Sequence, residues 1–493
     1  MARPGFVLEV DDRTPPLVVN DGPRVRLERF PLGTEVVYPG ESLPRLDDLA
    51  GGIDAALAEP VDAAPLASKL RAGMKLTIAF DDVSSTAPLH APDVRGRIIE
   101  RVLIQAAAAG VDDVALICAN GLNRRNTEAE LRRMLGERVF RSFYADGRLT
   151  NHDAEAAGSD SGELNARVAD SDLLVMVHLV HGIGTDVRSS GRAGVVEGLG
   201  SVAAIHTGAT STALDTMDVL SIEAVLDNDR YPAAVDFLGR REWEWTLKSQ
   251  AKLLGLRQAT RIAPTRSAQL IGSGLGAGYG VTRVTAGAPD AVAEASRARI
   301  LEQQQVEVSG QADVLVLGVP GVTAHSVDSV TNPVLAAWQA LGVGYQAATA
   351  GPLVRDGGSV IVYHPLSPDF SSLHHPSTVD FFADVLPVST DPAELSDRFE
   401  TKFAEDPWYR QLYRTSQAFH GLHPFRLWAQ LSEAVAQVGD VVFVGADRTS
   451  AARLGFRAAS TLADALEITA ASVGRTPKIR YLHTPPNVLG AVT

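Results

Sequence analysis

The sequence predicts an α/β fold: two α/β domains with largely parallel sheets and a site in the interdomain cleft. Three observations lead there. Short β-branched runs alternate with longer Ala-, Arg- and Glu-rich segments, the order produced when strands are joined by helical crossovers. The first clear run, MKLTIAFDD, ends in two carboxylates, and parallel sheets build their sites at such carboxyl ends. A chain of 493 residues exceeds what one core organises, so two domains are expected, residues 1–290 and 291–493.

The elements follow in order. MKLTIAFDD is a strand, residues 92–110 place Ile98, Val102, Leu103 and Ala106 near helical spacing, and residues 113–118 are again a strand, so the three form a βαβ unit. Asn126 and Thr127 followed by Glu128 and Glu130 supply a cap and an acidic first turn for a helix reaching Leu135, because side-chain oxygens and negative charge both satisfy a helix N-terminus. That puts the loop at 120–125 at a strand's carboxyl end. Residues 173–180 are an apolar strand, and the Gly/Ser-rich stretch at 182–200 reads as a polar functional loop. Residues 222–257, with Trp243 and Trp245, have a helical pattern. The glycines of residues 270–285 match a permissive dinucleotide fingerprint at Gly272, Gly274 and Ala277, but Val281 and its neighbours continue as a strand, which favours a glycine-rich hairpin. The second domain is expected to contain strands at 314–318, 359–363 and 440–444, with helices near 333–341 and 379–385.

Composition narrows the function classes. Apolar residues make up 45% and charged residues 21%, the balance of a chain that buries a core. A formal net charge of −14 without a basic run opposes binding to nucleic acid and anionic membranes, which leaves small molecules or proteins as partners and a homo-oligomer as compatible. Cys118 is the single cysteine, so no internal disulfide forms. The first residues carry acids where a signal peptide needs an apolar core, and no uncharged stretch approaches the ~20 residues of a membrane span. A cytoplasmic location is the expectation. No nucleophile elbow, phosphate-binding loop or zinc-protease helix motif appears. His374-His375 and His420-x-x-His423 have metal-ligand spacing, but Pro376 and Pro424 beside them suggest loops and surface histidines. Lys402, Asp406, Trp408 and Tyr409 form a charged aromatic segment that either faces the cleft or packs as a helix end.

Several strings, in order, resemble the lactate racemase family, whose members invert 2-hydroxy acids with a nickel-pincer nucleotide. Asp81-Asp82 after a strand is similar to that family's Asp-Asp-x-Thr-Arg-Pro motif. Ala119-Asn-Gly-Leu-Asn-Arg followed by Thr127-Glu resembles its Gly-x-His-Arg loop, and His152-Asp153 its His-Asp pair. Ser189-Ser-Gly-Arg-Ala-Gly-Val-Val-Glu-Gly, with His206 downstream, is similar to its Ser-Gly-Gly-x-Lys loop. The stretch from Val354 and the ending from Tyr481 resemble its second-domain strand and terminus.

The departures from those motifs bear on the chemistry. The family's carboxylate-binding Arg falls at Ser85 or Thr86, which offer no bidentate charged pair. Its acid/base His falls at Asn123, whose amide does not titrate near neutrality. Its cofactor-tethering Lys falls at Ala193, beside Arg192, an always-protonated guanidinium and a poor nucleophile. The resemblance leaves His181 for the second acid/base group and His206 for the nickel ligand, an imidazole role that suits nickel.

The resulting expectation is a divergent racemase- or epimerase-like isomerase acting on a small 2-hydroxy acid or related carboxylate, without a tethered nickel-pincer nucleotide. In it His181 or His152 transfers protons, Asp82 or Asp81 orients a hydroxyl or a histidine, and Asp81 is also a substrate contact. Ser85, Asn123, Arg124, Arg188 and Arg192 contact the substrate, and His206 is the metal candidate. Each has a structural alternative: a capping or turn role for the aspartates, a salt bridge for Arg124, a core position for the histidines. A catalytically silent small-molecule-binding protein and a cofactor-free lyase or isomerase are the competing readings.

Overall fold

A computed structural model describes residues 3–83, 93–157, 163–182, 190–208, 212–229, 231, 234–262, 279–323, 325–327 and 331–493. Four strands open the chain: β1 (Phe6–Glu9), β2 (Leu17–Gly22), β3 (Arg24–Glu28) and β4 (Glu35–Tyr38). Six more follow, β5 (Lys75–Asp81), β6 (Asp113–Ala119), β7 (Leu149–Asn151), β8 (Leu173–Val180), β9 (Val219–Leu226) and β10 (Val281–Gly287). The rest are β11 (Gln305–Val308), β12 (Ala312–Pro320), β13 (Val354–Tyr363), β14 (Asp440–Val444), β15 (Arg457–Ala459), β16 (Ile479–Leu482) and β17 (Leu489–Val492).

Strands β5 to β10 form one sheet in the order β10-β9-β8-β5-β6-β7, parallel except for the antiparallel β10 edge. Its strands are apolar on both sides because helices cover both faces. Along β8, Leu173, Val175, Val177 and Leu179 join the core beneath the helices Val94–Ala108 and Glu128–Tyr144, while Leu174 and Met176 face the helix Gly191–Leu199. Thr127 and Glu130 close a reciprocal capping box at the start of Glu128–Tyr144, as the acidic first turn suggests. That helix passes Leu135 with a break at Gly136, whose φ is 76°.

The second sheet corrects the domain division. β12, β13, β14, β15 and β16 are mutually parallel, and β1 to β4 of the chain's first 38 residues add to them, β4 parallel to β16 and β2 parallel to β12. Residues 1–290 are therefore not one unit: the opening strands belong to the sheet of the C-terminal half. Two further expectations change. Residues 219–226 are a strand rather than helix, paired to β8 and β10, and the helix of that region is Leu247–Ile262. The stretch expected to be a polar loop at 182–200 contains the helix Gly191–Leu199, in which Val195, Val196 and Leu199 are buried. Of the glycine-rich segment, residues 263–278 lie outside the described residues.

The two halves meet at the carboxyl ends of the first sheet. The Tyr413 hydroxyl donates to the Gly121 carbonyl at 2.6 Å and accepts the Ala154 N–H at 3.1 Å, and the His420 N–H donates to the Leu122 carbonyl at 3.1 Å. Arg414 pairs with Asp153 at 2.9 Å, His420 with Glu155 at 2.9 Å, and Arg426 grips Glu197 with two bonds of 2.9 and 2.8 Å. Gly121 has φ 49°, and a Cβ there would lie 2.1 Å from the Glu197 carbonyl, so glycine is required for this close approach. Among the described residues, no helix is long and apolar enough to cross a membrane.

Candidate active site at the sheet switch point

In the first sheet the strand order reverses between β5 and β8, and open parallel sheets bind ligands outside the carboxyl ends at such a switch point. Asp81 and Asp82 end β5, and His178 to His181 end β8. Asp81 is 5% exposed and holds β8 in two ways: one carboxylate oxygen meets His178 Nδ1 at 2.5 Å, and the other accepts the Leu179 N–H at 2.6 Å. When the His178 ring is neutral, a proton on Nδ1 satisfies the Asp81 carboxylate and the lone pair falls on Nε2.

Glu223 lies opposite His178 in the β8–β9 register and is 1% exposed. Burial raises its carboxyl above the ordinary range, while the neighbouring His178, the Ser296 hydroxyl and the Gly191 N–H act in the opposite direction. Three adjacent strands thus contribute a carboxylate, an imidazole and a carboxyl group in a row. From the sequence His178 is weighed beside His181 and His206 only as a histidine in or near the core, and Glu223 is not singled out. The available signal was their position: each is a titratable residue inside an otherwise apolar run, LLVMVHLV and VLSIEAVL.

His181 also lies at the switch point. It is 1% exposed, its carbonyl accepts from Gln304 at 2.7 Å and Asn487 at 3.1 Å, and its ring meets Tyr279 edge-on at 4.8 Å. Asn487 brings the C-terminal segment to this end of the sheet, where its carbonyl accepts from Asn228 at 2.8 Å and its N–H donates to Asn228 at 3.0 Å. Asp82 is buried, and its carbonyl accepts from Arg95 at 3.0 Å. Arg95, itself fully buried and doubly bonded to Asp93, anchors this strand end from behind.

Of the remaining expected site residues, His152 and Arg124 are held by partners within the fold. His152 is wholly buried, with Nε2 2.8 Å from the Gly200 carbonyl and Nδ1 3.1 Å from the Asn165 amide, and burial lowers its pKa to about 4. Both ring nitrogens are thus committed, which is a core role rather than proton transfer. Arg124 is bound to Glu130 through two nitrogens, at 2.9 and 2.5 Å, so its charge fixes the loop to the capped helix. Asn123 is partly exposed in a turn closed by its N–H to the Asn120 carbonyl at 2.7 Å. Arg192 bonds Asp215 and the Leu214 carbonyl and lines a pocket of about 180 Å³ with Lys69 and Asp218, at the amino end of β9, away from the switch point. His206 faces Glu400 of the second half at 3.4 Å. Ser85 and Arg188 lie outside the described residues. His374, His375, His420 and His423, expected at the surface, are all buried, because Pro376 and Pro424 start helices instead of marking loops.

Among the described residues, no three His, Cys, Asp or Glu side chains are arranged to hold a metal ion. Ala193, at the position resembling the tether, is an exposed residue of Gly191–Leu199 with no amine to form a covalent link. Among the described residues, those at this position do not fit a tethered nickel-pincer nucleotide.

The comparisons with known proteins agree with this architecture. Residues 28–211 match the lactate racemase N-terminal domain. The lactate racemase apoprotein of Thermoanaerobacterium thermosaccharolyticum superposes with a TM-score of 0.60 at 14% identity, over 96% of this chain and 99% of that one. A protein of Thermotoga maritima aligns over 92% of this chain and 100% of its own, at 10% identity and a TM-score of 0.46. No curated protein matches the sequence. Residues 28–211 are thus similar to the lactate racemase N-terminal domain, and the fold of the lactate racemase apoprotein is shared along nearly the whole chain.

Proposed function

We propose that this protein is a divergent cytoplasmic isomerase, of racemase or epimerase type, acting on a small 2-hydroxy acid or related carboxylate without a tethered nickel-pincer nucleotide. The observation that carries the reading is the Asp81–His178 pair at the switch point: a buried carboxylate that sets the imidazole tautomer is the arrangement of a general base. His178 Nε2 takes the proton from the reacting carbon, and Asp81 stabilises the imidazolium that forms. His181, at the end of the same strand, is the candidate donor to the opposite face. Direct proton removal requires an acidified carbon, so the substrate carries a carbonyl or equivalent electron-withdrawing group beside it.

A second reading, a binding protein that kept the fold without the reaction, draws on the ion pairs: Arg124 and Arg192 are both engaged by carboxylates. Enantiopure 2-hydroxy and 2-hydroxy-3-oxo acids supplied to protein from its native host, with intact mass and nickel content measured on the same sample, decide between them. Inversion at unmodified mass supports the isomerase. Saturable binding without turnover supports the second reading. A mass increment with nickel near one per chain contradicts the untethered site.

A further inference from the structure

In the second half of the chain, beside the 120–125 loop, three histidines pack round one aromatic ring. His375 stacks on Phe419 at 4.8 Å and His423 stacks on it at 4.2 Å, while His325 meets His423 edge-on at 5.0 Å and Trp338 at 5.0 Å. His375 Nε2 lies 2.9 Å from the His325 carbonyl and so carries its proton there, which leaves Nδ1 as an acceptor. Among the described residues, Nδ1 of His325, Nδ1 of His375 and both ring nitrogens of His423 have no hydrogen-bond partner. His375 is 0% and His423 4% exposed, whereas His325 is half-buried at the edge of the group.

Burial holds all three rings neutral, the His375 pKa down to about 3 and the His325 pKa down to about 4, with His423 also well below its ordinary range. Arg426 disfavours positive charge on His325 and His423, and Arg124 on His375. Both guanidiniums already hold carboxylates, Glu197 and Glu130. The surroundings therefore oppose a cation, while a carboxylate would lack a free charged donor. What they suit is an uncharged group that offers hydroxyls: His375 accepts, and His423 accepts at one nitrogen and donates at the other whichever tautomer it adopts.

We propose that His325, His375 and His423 bind the hydroxylated tail of the substrate, so that the preferred ligand is a small acid bearing vicinal hydroxyls beyond the reacting carbon. The proposal rests on the isomerase reading for the position of the carboxylate end, but the histidine group is testable alone.

The test uses the full chain, ¹⁵N-labelled at histidine, titrated with L-threonate, L-lactate and the neutral polyol erythritol, and the variants His423→Phe and His423→Gln. The expected result is that threonate binds at least tenfold more tightly than lactate and moves the ring ¹⁵N resonances of His375 and His423. His423→Phe should erase that preference while leaving lactate affinity within twofold, and His423→Gln, which keeps a donor and an acceptor, should retain part of it. His423→Phe should also raise the Tm of the free protein, since it replaces two unpartnered buried nitrogens by a ring of similar shape. Equal binding of threonate and lactate overturns the histidine assignment and leaves the isomerase reading standing. Erythritol moving the His375 and His423 resonances while no acid binds keeps the histidine site and removes the isomerase reading. Perturbation of these rings by micromolar zinc or nickel with no response to threonate or erythritol overturns the hydroxyl assignment in favour of a metal.

Discussion

Replacing Asp81 by Asn separates the aspartate's two roles. The carboxylate accepts from the Leu179 N–H at 2.6 Å and from His178 Nδ1, both within the buried sheet. Asparagine has one acceptor oxygen, and the backbone N–H cannot reverse, so Oδ1 stays with Leu179 and the amide NH₂ is presented to His178. The imidazole then accepts at Nδ1 and moves its proton to Nε2. Charge-assisted bonds contribute about 1.5–3 kcal/mol and neutral ones about 0.5–1.5, so two bonds weakened by about 1 kcal/mol each lower stability by about 2 kcal/mol. The effect on turnover is larger, because a protonated Nε2 cannot accept a proton: a loss of about 10²–10⁴ is expected, the range general acid–base catalysis supplies. Urea denaturation gives the first magnitude, and long-range ¹H–¹⁵N correlation of the His178 ring reports the tautomer directly. An Asp81→Asn protein that keeps the Nδ1–H tautomer, or turns over within threefold of the parent, refutes the reasoning.

Other consequences concern stability and assembly. His152, His364 and His375 are buried, with pKa values lowered to about 4, 3 and 3, so the unfolded chain binds more protons once pH falls below about 6.5. Their contribution is complete above that pH and is lost as pH falls toward 4 and 3, at about 1.4 kcal/mol per group per pH unit. Urea midpoints should accordingly drop from pH 7 to pH 5, and a flat profile contradicts this. Replacing His152 by Leu strands the Gly200 carbonyl and the Asn165 amide and should lower stability by about 1–3 kcal/mol, read by denaturation. Gly121→Ala forces a Cβ against the Glu197 carbonyl at positive φ and should lower stability by about 2 kcal/mol or more. Faster proteolysis at the 120–125 loop would accompany it.

Most of the fold was legible because its parallel strands are continuous apolar runs bounded by helical segments, and β5, β6, β8, β12, β13 and β14 fall where the sequence places them. β9 was misread for a physical reason: Ser221 and Glu223 interrupt its apolar run as a helix's polar face does, whereas here they are buried on a strand covered on both sides. Pairing of β1 to β4 with strands more than 270 residues away depends on non-local contacts that local periodicity does not encode. At the site, Asp81 and Asp82 lie at the carboxyl end of β5, where the sequence places them. Residue type alone did not distinguish the tied Arg124 and the internally satisfied His152 from functional groups, because their partners Glu130, Gly200 and Asn165 are fixed only by folding.

The most direct test of the central claim is the fate of the substrate's carbon-bound hydrogen. A single enantiomer of an accepted acid, incubated with the protein in D₂O and followed by ¹H NMR and chiral separation, should lose its C–H signal as the opposite enantiomer appears, because His178 exchanges its proton with solvent. Inversion with full retention of the original hydrogen would contradict proton transfer through His178 and indicate internal hydride return.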